Sequence, residues 1–214
     1  MYRIIYCFVQ GLVNIFLFPF VWVRTKGKKN LPKKGAFLLC SNHRSNLDPV
    51  LLALRSPRNF HYMAKEELFR TPGFAQLIKF LGAFPVSRGK DDQKALRTAM
   101  NFLRDGQAVL MFPEGTRSKT GKLGSGKSGA ALIASHTKVP VIPTAIICDG
   151  PIRAFKPITV SYGEPFMLDM QPSEEGAPRE NAREKYRRMS AEIMAHIQAL
   201  IDEHEQAHKK SKNT

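Results

Sequence analysis

Two short polar stretches carry the residue types that could do chemistry. The first is Asn42-His43-Arg44-Ser45-Asn46-Leu47-Asp48, which puts a histidine five residues ahead of an aspartate. The second is Phe112-Pro113-Glu114-Gly115-Thr116-Arg117-Ser118, which gathers a carboxylate, a glycine, a hydroxyl and an arginine. Histidine titrates near neutral pH, so it can act as a general base. A carboxylate on its far ring nitrogen fixes the tautomer and stabilises the imidazolium formed on proton transfer. Arginine stays charged and offers a planar fork that matches phosphate oxygens. A base in one loop and an anion clamp in the other suggest transfer of an acyl group onto a hydroxyl of a phosphorylated molecule.

The elements around the two stretches are set by what each must position. Each stretch follows an apolar run, Ala36-Phe37-Leu38-Leu39-Cys40 and Ala108-Val109-Leu110-Met111-Phe112. Polar loops at the ends of buried strands are how an α/β fold builds a site. On a regular helix His43 and Asp48 would stand about 140° apart, at roughly 100° per residue. The chain must therefore bend between them, with His43 on the loop. Asp48 is expected as a helix N-cap, with Pro49 at the first helical position and Val50, Leu51, Leu52 and Leu54 continuing the helix. The plainer alternative is a capping aspartate beside an ordinary loop histidine. A serine nucleophile does not fit, because neither Ser41 nor Ser45 lies in a Gly-x-Ser-x-Gly elbow. No metal site is expected: the loop holds no second His or Cys at ligand spacing.

Together the two stretches resemble the glycerolipid acyltransferase family, in particular its lysophosphatidic acid acyltransferases. Asn-His-x4-Asp is that family's first motif, and Phe-Pro-Glu-Gly-Thr-Arg-Ser its third. Gly82-Ala83-Phe84-Pro85-Val86-Ser87-Arg88-Gly89 resembles the second, and Val139-Pro140-Val141-Ile142-Pro143 the fourth. Met63-Ala64-Lys65-Glu66-Glu67-Leu68 is similar to the lysine block between the first two. The resemblance covers roughly residues 30 to 165. It implies a glycerol-3-phosphate acyltransferase-like fold in which His43 is the base and Asp48 orients it. It also implies an acceptor pocket shaped by Lys65, Arg88, Glu114, Gly115, Thr116 and Arg117, with the arginines on the phosphate. A carboxylate repels phosphate, so Glu114 should pair with an arginine or bond a backbone amide or a substrate hydroxyl.

The reaction so implied moves a fatty acyl group from a thioester to the sn-2 hydroxyl of a lysophosphatidic acid, giving phosphatidic acid. Glycerol phosphate and other lysophospholipids are the alternative acceptors. No cofactor is expected, because the thioester is already activated. The donor is acyl-coenzyme A or acyl carrier protein. A non-catalytic basic module is the competing class, but it leaves the histidine and aspartate beside the arginine unexplained.

Gly121-Lys122-Leu123-Gly124-Ser125-Gly126-Lys127-Ser128 fits the Gly-x4-Gly-Lys-Ser pattern of a nucleotide-binding loop. That motif needs a buried strand running straight into its first glycine, and here Arg117-Ser118-Lys119-Thr120 precedes it. The expectation is a glycine-rich loop leading into a helix. Its lysines, Lys119, Lys122 and Lys127, are candidates for holding phosphates of coenzyme A or an acidic carrier protein.

The 214 residues suit one domain with a sizeable core. The net charge of +15 lies wholly in residues 1–173, since residues 174–214 carry eight basic and eight acidic side chains. Such a body attracts phospholipid headgroups, coenzyme A, carrier protein or nucleic acid. The last is set aside because aromatics are not interleaved with the basic residues. Three cysteines, Cys7, Cys40 and Cys148, sit in apolar runs and suggest a reducing compartment. Residues 4–23 hold twenty uncharged residues, followed by Arg24, Lys26, Lys28, Lys29, Lys33 and Lys34. This predicts a membrane-associated helix or helical hairpin at the cytoplasmic face of the cell membrane.

The organisation predicted is residues 1–30 as the membrane-associated segment, 31–173 as the catalytic domain, and 174–214 as a polar linker and amphipathic helix. Strands are predicted at 36–41, 60–64, 84–87, 108–112, 141–147 and 158–163. Helices are predicted at 49–55, 66–81 with a break at Pro72-Gly73, 92–105, 128–137 and from Glu184 onward, with residues 208–214 disordered. Alternating strands and helices give an α/β fold, a largely parallel sheet covered by helices.

Overall fold

The structure is a computed structural model and describes residues 11, 22–86, 92–150, 152, 156–170 and 180–212. The predicted N-terminal membrane segment up to residue 21, the candidate Arg88 and most of the predicted linker lie outside the described residues.

Seven strands form one sheet: β1 Val23–Lys26, β2 Phe37–Ser41, β3 Phe60–Lys65, β4 Ala83–Val86, β5 Ala108–Met111, β6 Val141–Ile147 and β7 Ile158–Tyr162. Five further named helices lie among the described residues: α1 Asp48–Arg55, α2 Phe74–Phe80, α3 Asp92–Arg104, α4 Ser128–Thr137 and α5 Ala182–Lys212. A 3-10 helix, Glu66–Arg70, precedes α2, so the predicted helix over 66–81 is broken at Pro72-Gly73 as expected. The strand order is β1-β7-β6-β2-β5-β3-β4. Every neighbouring pair is parallel except β6 with β7. The largely parallel α/β sheet is thus as the sequence predicts.

Alternation along β2 explains the two-faced core. Leu38 and Cys40 pack with α3, α4 and α5, through Ala99, Ile133 and Ile193 among others. Phe37 and Leu39 pack on the opposite face with Leu51 and Leu52 of α1 and Ile78 of α2. All five β2 residues are buried, as a strand covered on both faces requires. β2 pairs with β5 on one side and β6 on the other, so it is the sheet's centre.

Two elements differ from the sequence expectation. β1 is not announced by any apolar run: Val-Arg-Thr-Lys alternates half-buried and exposed positions at the sheet's edge. The last helix continues to Lys212, well past the predicted end of order at residue 208. It begins at Ala182 because Asn181 caps it. Glu184 N–H donates to Asn181 Oδ1 at 2.9 Å, and Asn181 N–H donates back to Glu184 Oε2 at 3.2 Å. That reciprocal pair is a capping box.

α5 buries Met189, Ile193 and Ile197 completely against the α3–α4 layer. Ile193→Ala should therefore cost about 2–5 kcal/mol of global stability, read by urea denaturation. A loss under about 0.5 kcal/mol would mean that α5 is not part of the cooperative unit.

Candidate active site

β2 and β5 are adjacent and parallel, with Cys40 opposite Met111, so both polar loops leave the same edge of the sheet side by side. β2 continues into α1 on one face, and β5 into α4 on the other. Neighbouring strands whose connections depart to opposite faces leave a crevice at their carboxyl ends.

His43 sits on the bend of the first loop, and its Nδ1 lies 2.7 Å from Asp48 Oδ2. Asp48 is fully buried. The same Oδ2 accepts the backbone N–H groups of Arg44, at 2.6 Å, and Ser45, at 2.8 Å. Asp48 is the first residue of α1 and not its N-cap, which is Leu47; its carboxylate turns back onto the loop instead of capping the helix. The capping expectation is corrected for a physical reason: the loop amides and the imidazole are stronger claimants than the helix end. With Nδ1–H given to the carboxylate, Nε2 is the ring's acceptor. The imidazole stacks on Phe112, with centroids 4.0 Å apart and planes 17° apart, which fixes its second axis.

Glu114 joins the loops. It is almost wholly buried, its Oε1 accepting the His43 N–H at 2.8 Å and its Oε2 the Gly124 N–H at 3.0 Å. Of the roles open to it in the sequence, the backbone-amide one holds. Ser118 N–H donates to the His43 carbonyl at 2.8 Å, a second tie between the loops. Asn42, which the sequence reading leaves without a role, pins β2 to β6. Its Nδ2 donates to the Ile146 carbonyl at 2.9 Å and its Oδ1 accepts the Ile146 N–H at 2.7 Å. Arg44 clips the loop to the segment after β6, donating to the carbonyls of Cys148 and Gly150, each at 2.7 Å.

The other candidates are placed less tightly. Gly115, Thr116 and Arg117 are exposed beyond Glu114. Lys65 is exposed at the carboxyl end of β3, one strand beyond β5, in register with Val86. Phe112 and Asn42 are the positions that sequence reasoning missed. Both stand inside the two motifs, but their roles depend on ring stacking and a cross-strand amide pair that spacing does not reveal.

Neither described cysteine is suited to carry an acyl group. Burial pushes the Cys40 thiol far above its ordinary value. Burial also pushes up Cys148, outweighing the opposite pull of Arg44 and Lys156. Among the described residues no group of His, Cys, Asp and Glu could hold a metal ion. The glycine-rich stretch is not a nucleotide loop: β5 ends at Met111, and Gly121 follows after a long polar turn. Gly126 is small because α5 lies against it; a Cβ there would come within 2.5 Å of Ser190 Oγ and 2.7 Å of Met194 Cγ.

A histidine–carboxylate pair at the carboxyl edge of such a sheet, tied to a Glu-Gly-Thr-Arg turn, marks an α/β protein equipped for base-assisted chemistry. The chain belongs to the Acyltransferase family, whose model matches residues 22–147. It is 33% identical over 141 residues to 1-acyl-sn-glycerol-3-phosphate acyltransferase of Bacillus subtilis, covering 65% of this chain and 70% of that protein. It is 34% identical over 142 residues to the chloroplastic 1-acyl-sn-glycerol-3-phosphate acyltransferase LPAT1 of Arabidopsis thaliana, covering 65% of this chain and 40% of that one. The chain thus spans well under half the length of that plant relative. The crystal structure of the 1-acyl-sn-glycerophosphate acyltransferase PlsC from Thermotoga maritima superimposes with a TM-score of 0.66 at 28% identity, covering 93% of this chain and 79% of that one.

Glu114→Gln tests the joint between the loops. An amide offers one oxygen and one NH2, so it can accept only one of the two N–H groups and leaves the other unpaired. The expected cost is about 1–3 kcal/mol in urea denaturation. A neutral effect would show that the loops are held together by other contacts.

Proposed function

We propose that the protein transfers a fatty acyl group from a thioester to the sn-2 hydroxyl of 1-acyl-sn-glycerol 3-phosphate, making phosphatidic acid. The observation that carries this reading is the 2.7 Å contact between His43 Nδ1 and the buried Asp48 carboxylate, held beside the Glu-Gly-Thr-Arg turn. The relatives named for the same reaction support it.

His43 Nε2 takes the proton of the acceptor hydroxyl while Asp48 stabilises the imidazolium. The hydroxyl oxygen bonds to the thioester carbonyl carbon and gives a tetrahedral intermediate. Collapse breaks the carbon–sulfur bond, and the departing thiolate receives the proton from the imidazolium. The transfer is direct, so no residue is acylated. Asp48 holds one ring nitrogen, Phe112 holds the ring plane, and the Arg44 and Ser45 amides hold the carboxylate; the base is thereby set before substrate arrives. Arg117 and Arg88 contact the phosphate, with Lys65 in a supporting role. The donor is acyl-coenzyme A or acyl carrier protein, and no metal or cofactor takes part.

The site works at the cytoplasmic face of the membrane, where the acceptor resides. Among the described residues no helix is long and apolar enough to cross a membrane. Attachment is assigned to the apolar segment before β1 and to the basic residues that follow it.

Purified protein in detergent, given oleoyl lysophosphatidic acid and a long-chain acyl-coenzyme A or acyl carrier protein, should form phosphatidic acid. His43→Ala should lower kcat by about 10²- to 10⁴-fold, and Asp48→Asn by about 10²-fold or more, with the fold retained. Absence of product with both donors would sink the reading, and a trapped covalent acyl-enzyme would overturn direct transfer. Removing residues 1–21 should release the protein from membranes in a sedimentation assay while its circular dichroism persists. Continued co-sedimentation would place the membrane contact elsewhere.

A further inference from the structure

The glycine-rich loop that does not bind a nucleotide is built into the site in another way. It starts at the Glu114 carboxylate, through the Gly124 N–H, and ends at Lys127, the residue before α4. Lys127 is held by its backbone at both sides: its N–H donates to the Pro113 carbonyl at 2.8 Å, and its carbonyl accepts Ser190 Oγ of α5 at 3.0 Å. These bonds leave its side chain to run over the Glu-Gly-Thr-Arg turn. A Cβ at Gly115 would lie 3.0 Å from Lys127 Cδ, Cε and Nζ alike. Gly115 has φ +68°, so it serves the turn's conformation and makes room for this side chain.

The ammonium is uncommitted. Lys127 is exposed, and among the described residues it forms no ion pair. The obvious internal partner, Glu114, has both oxygens occupied by backbone N–H groups. Because those oxygens are already taken, Glu114 makes no direct ion pair with the Lys127 ammonium. An unpaired ammonium laid against Gly115, two residues from the exposed Arg117, is an arrangement suited to an anion with several oxygens.

We propose that Lys127 is a phosphate-contacting residue of this site, forming with Arg117 a two-cation seat for a phosphate monoester. This rests on the acyltransferase reading above. The phosphate could be supplied by the glycerol phosphate of the acceptor or by coenzyme A of the donor, and the position of Gly115 inside the same turn as Arg117 favours the acceptor.

Four substrate combinations distinguish the sources: 1-oleoylglycerol 3-phosphate or uncharged 1-oleoylglycerol as acceptor, with oleoyl-coenzyme A or oleoyl-pantetheine as donor. Lys127→Met should reduce the preference for the phosphorylated acceptor about 10-fold or more, and Lys127→Arg should restore most of it. A loss of preference for coenzyme A over pantetheine instead would assign the seat to the donor's phosphates. Equal losses across all four combinations would mark Lys127 as merely structural and overturn the proposal, as would unchanged preferences. The backbone bonds of Lys127 survive both substitutions. Thermal-shift titration with sn-glycerol 3-phosphate gives a reading that needs no turnover. Stabilisation of the wild type that weakens at least several-fold in Lys127→Met supports the seat even if no acyl transfer is found. Equal response in both proteins overturns an acceptor-phosphate seat.

Discussion

A buried carboxylate shared by two backbone amides is the interaction on which the site depends. Glu114 is anchored just beyond β5, yet it accepts the N–H of His43 beyond β2 and the N–H of Gly124 in the following loop. Parallel pairing alone brings the two strand ends together. It does not fix the loops, because polar loops at a sheet edge have many conformations of similar energy. A carboxyl group that accepts two backbone N–H groups in a nearly dry setting restricts them. Once His43 is held by its own backbone, Asp48 and Phe112 need only fix the ring. The Glu114 carboxylate is therefore a structural brace, both of its oxygens taken by backbone N–H groups.

The brace also explains how distant parts of the chain take part in one site. Gly126 allows α5 to approach, and Ser190 on α5 fixes Lys127. The terminal helix is buried on the same core as α3 and α4. It borders these loops through Ser190 on the Lys127 carbonyl, and through Ile201 and His204, which line one cleft with Asn42 and Arg44.

Much of this architecture is legible in the sequence. Continuous apolar runs such as Phe37–Ser41 and Val141–Ile147 are short enough to read as buried strands, and the pattern of α3 and α5 marks their buried faces. The His43–Asp48 pairing is legible from the residue types and the family resemblance, and it in turn requires the chain to bend between them. What escapes is whatever is encoded in directions rather than in residue type. β1 has too few apolar residues to register and exists because β7 offers a free edge. Asp48 has the composition and position of a helix cap, and nothing in the spacing says that its carboxylate faces backward. The Asn181 and Glu184 pair is readable as a capping box, but only when the helix start is sought two residues earlier. Glu114 could have met an arginine, an amide or a ligand; the answer lies in where Gly124 returns, which no local pattern states.

The single antiparallel junction, between β6 and β7, has a consequence for how the protein meets its surroundings. β7 and β1 run against the five strands that carry the site, with Ile147 beside Thr159 and Ile158 beside Val23. The start of β1 therefore stands at the same rim of the sheet as the ends of β2 and β5. Trp22, whose carbonyl accepts the Ile158 N–H at 2.8 Å, is exposed there. The chain therefore enters the sheet at the rim that carries His43, so a change just before β1 is made beside the site and not at the far end of the sheet.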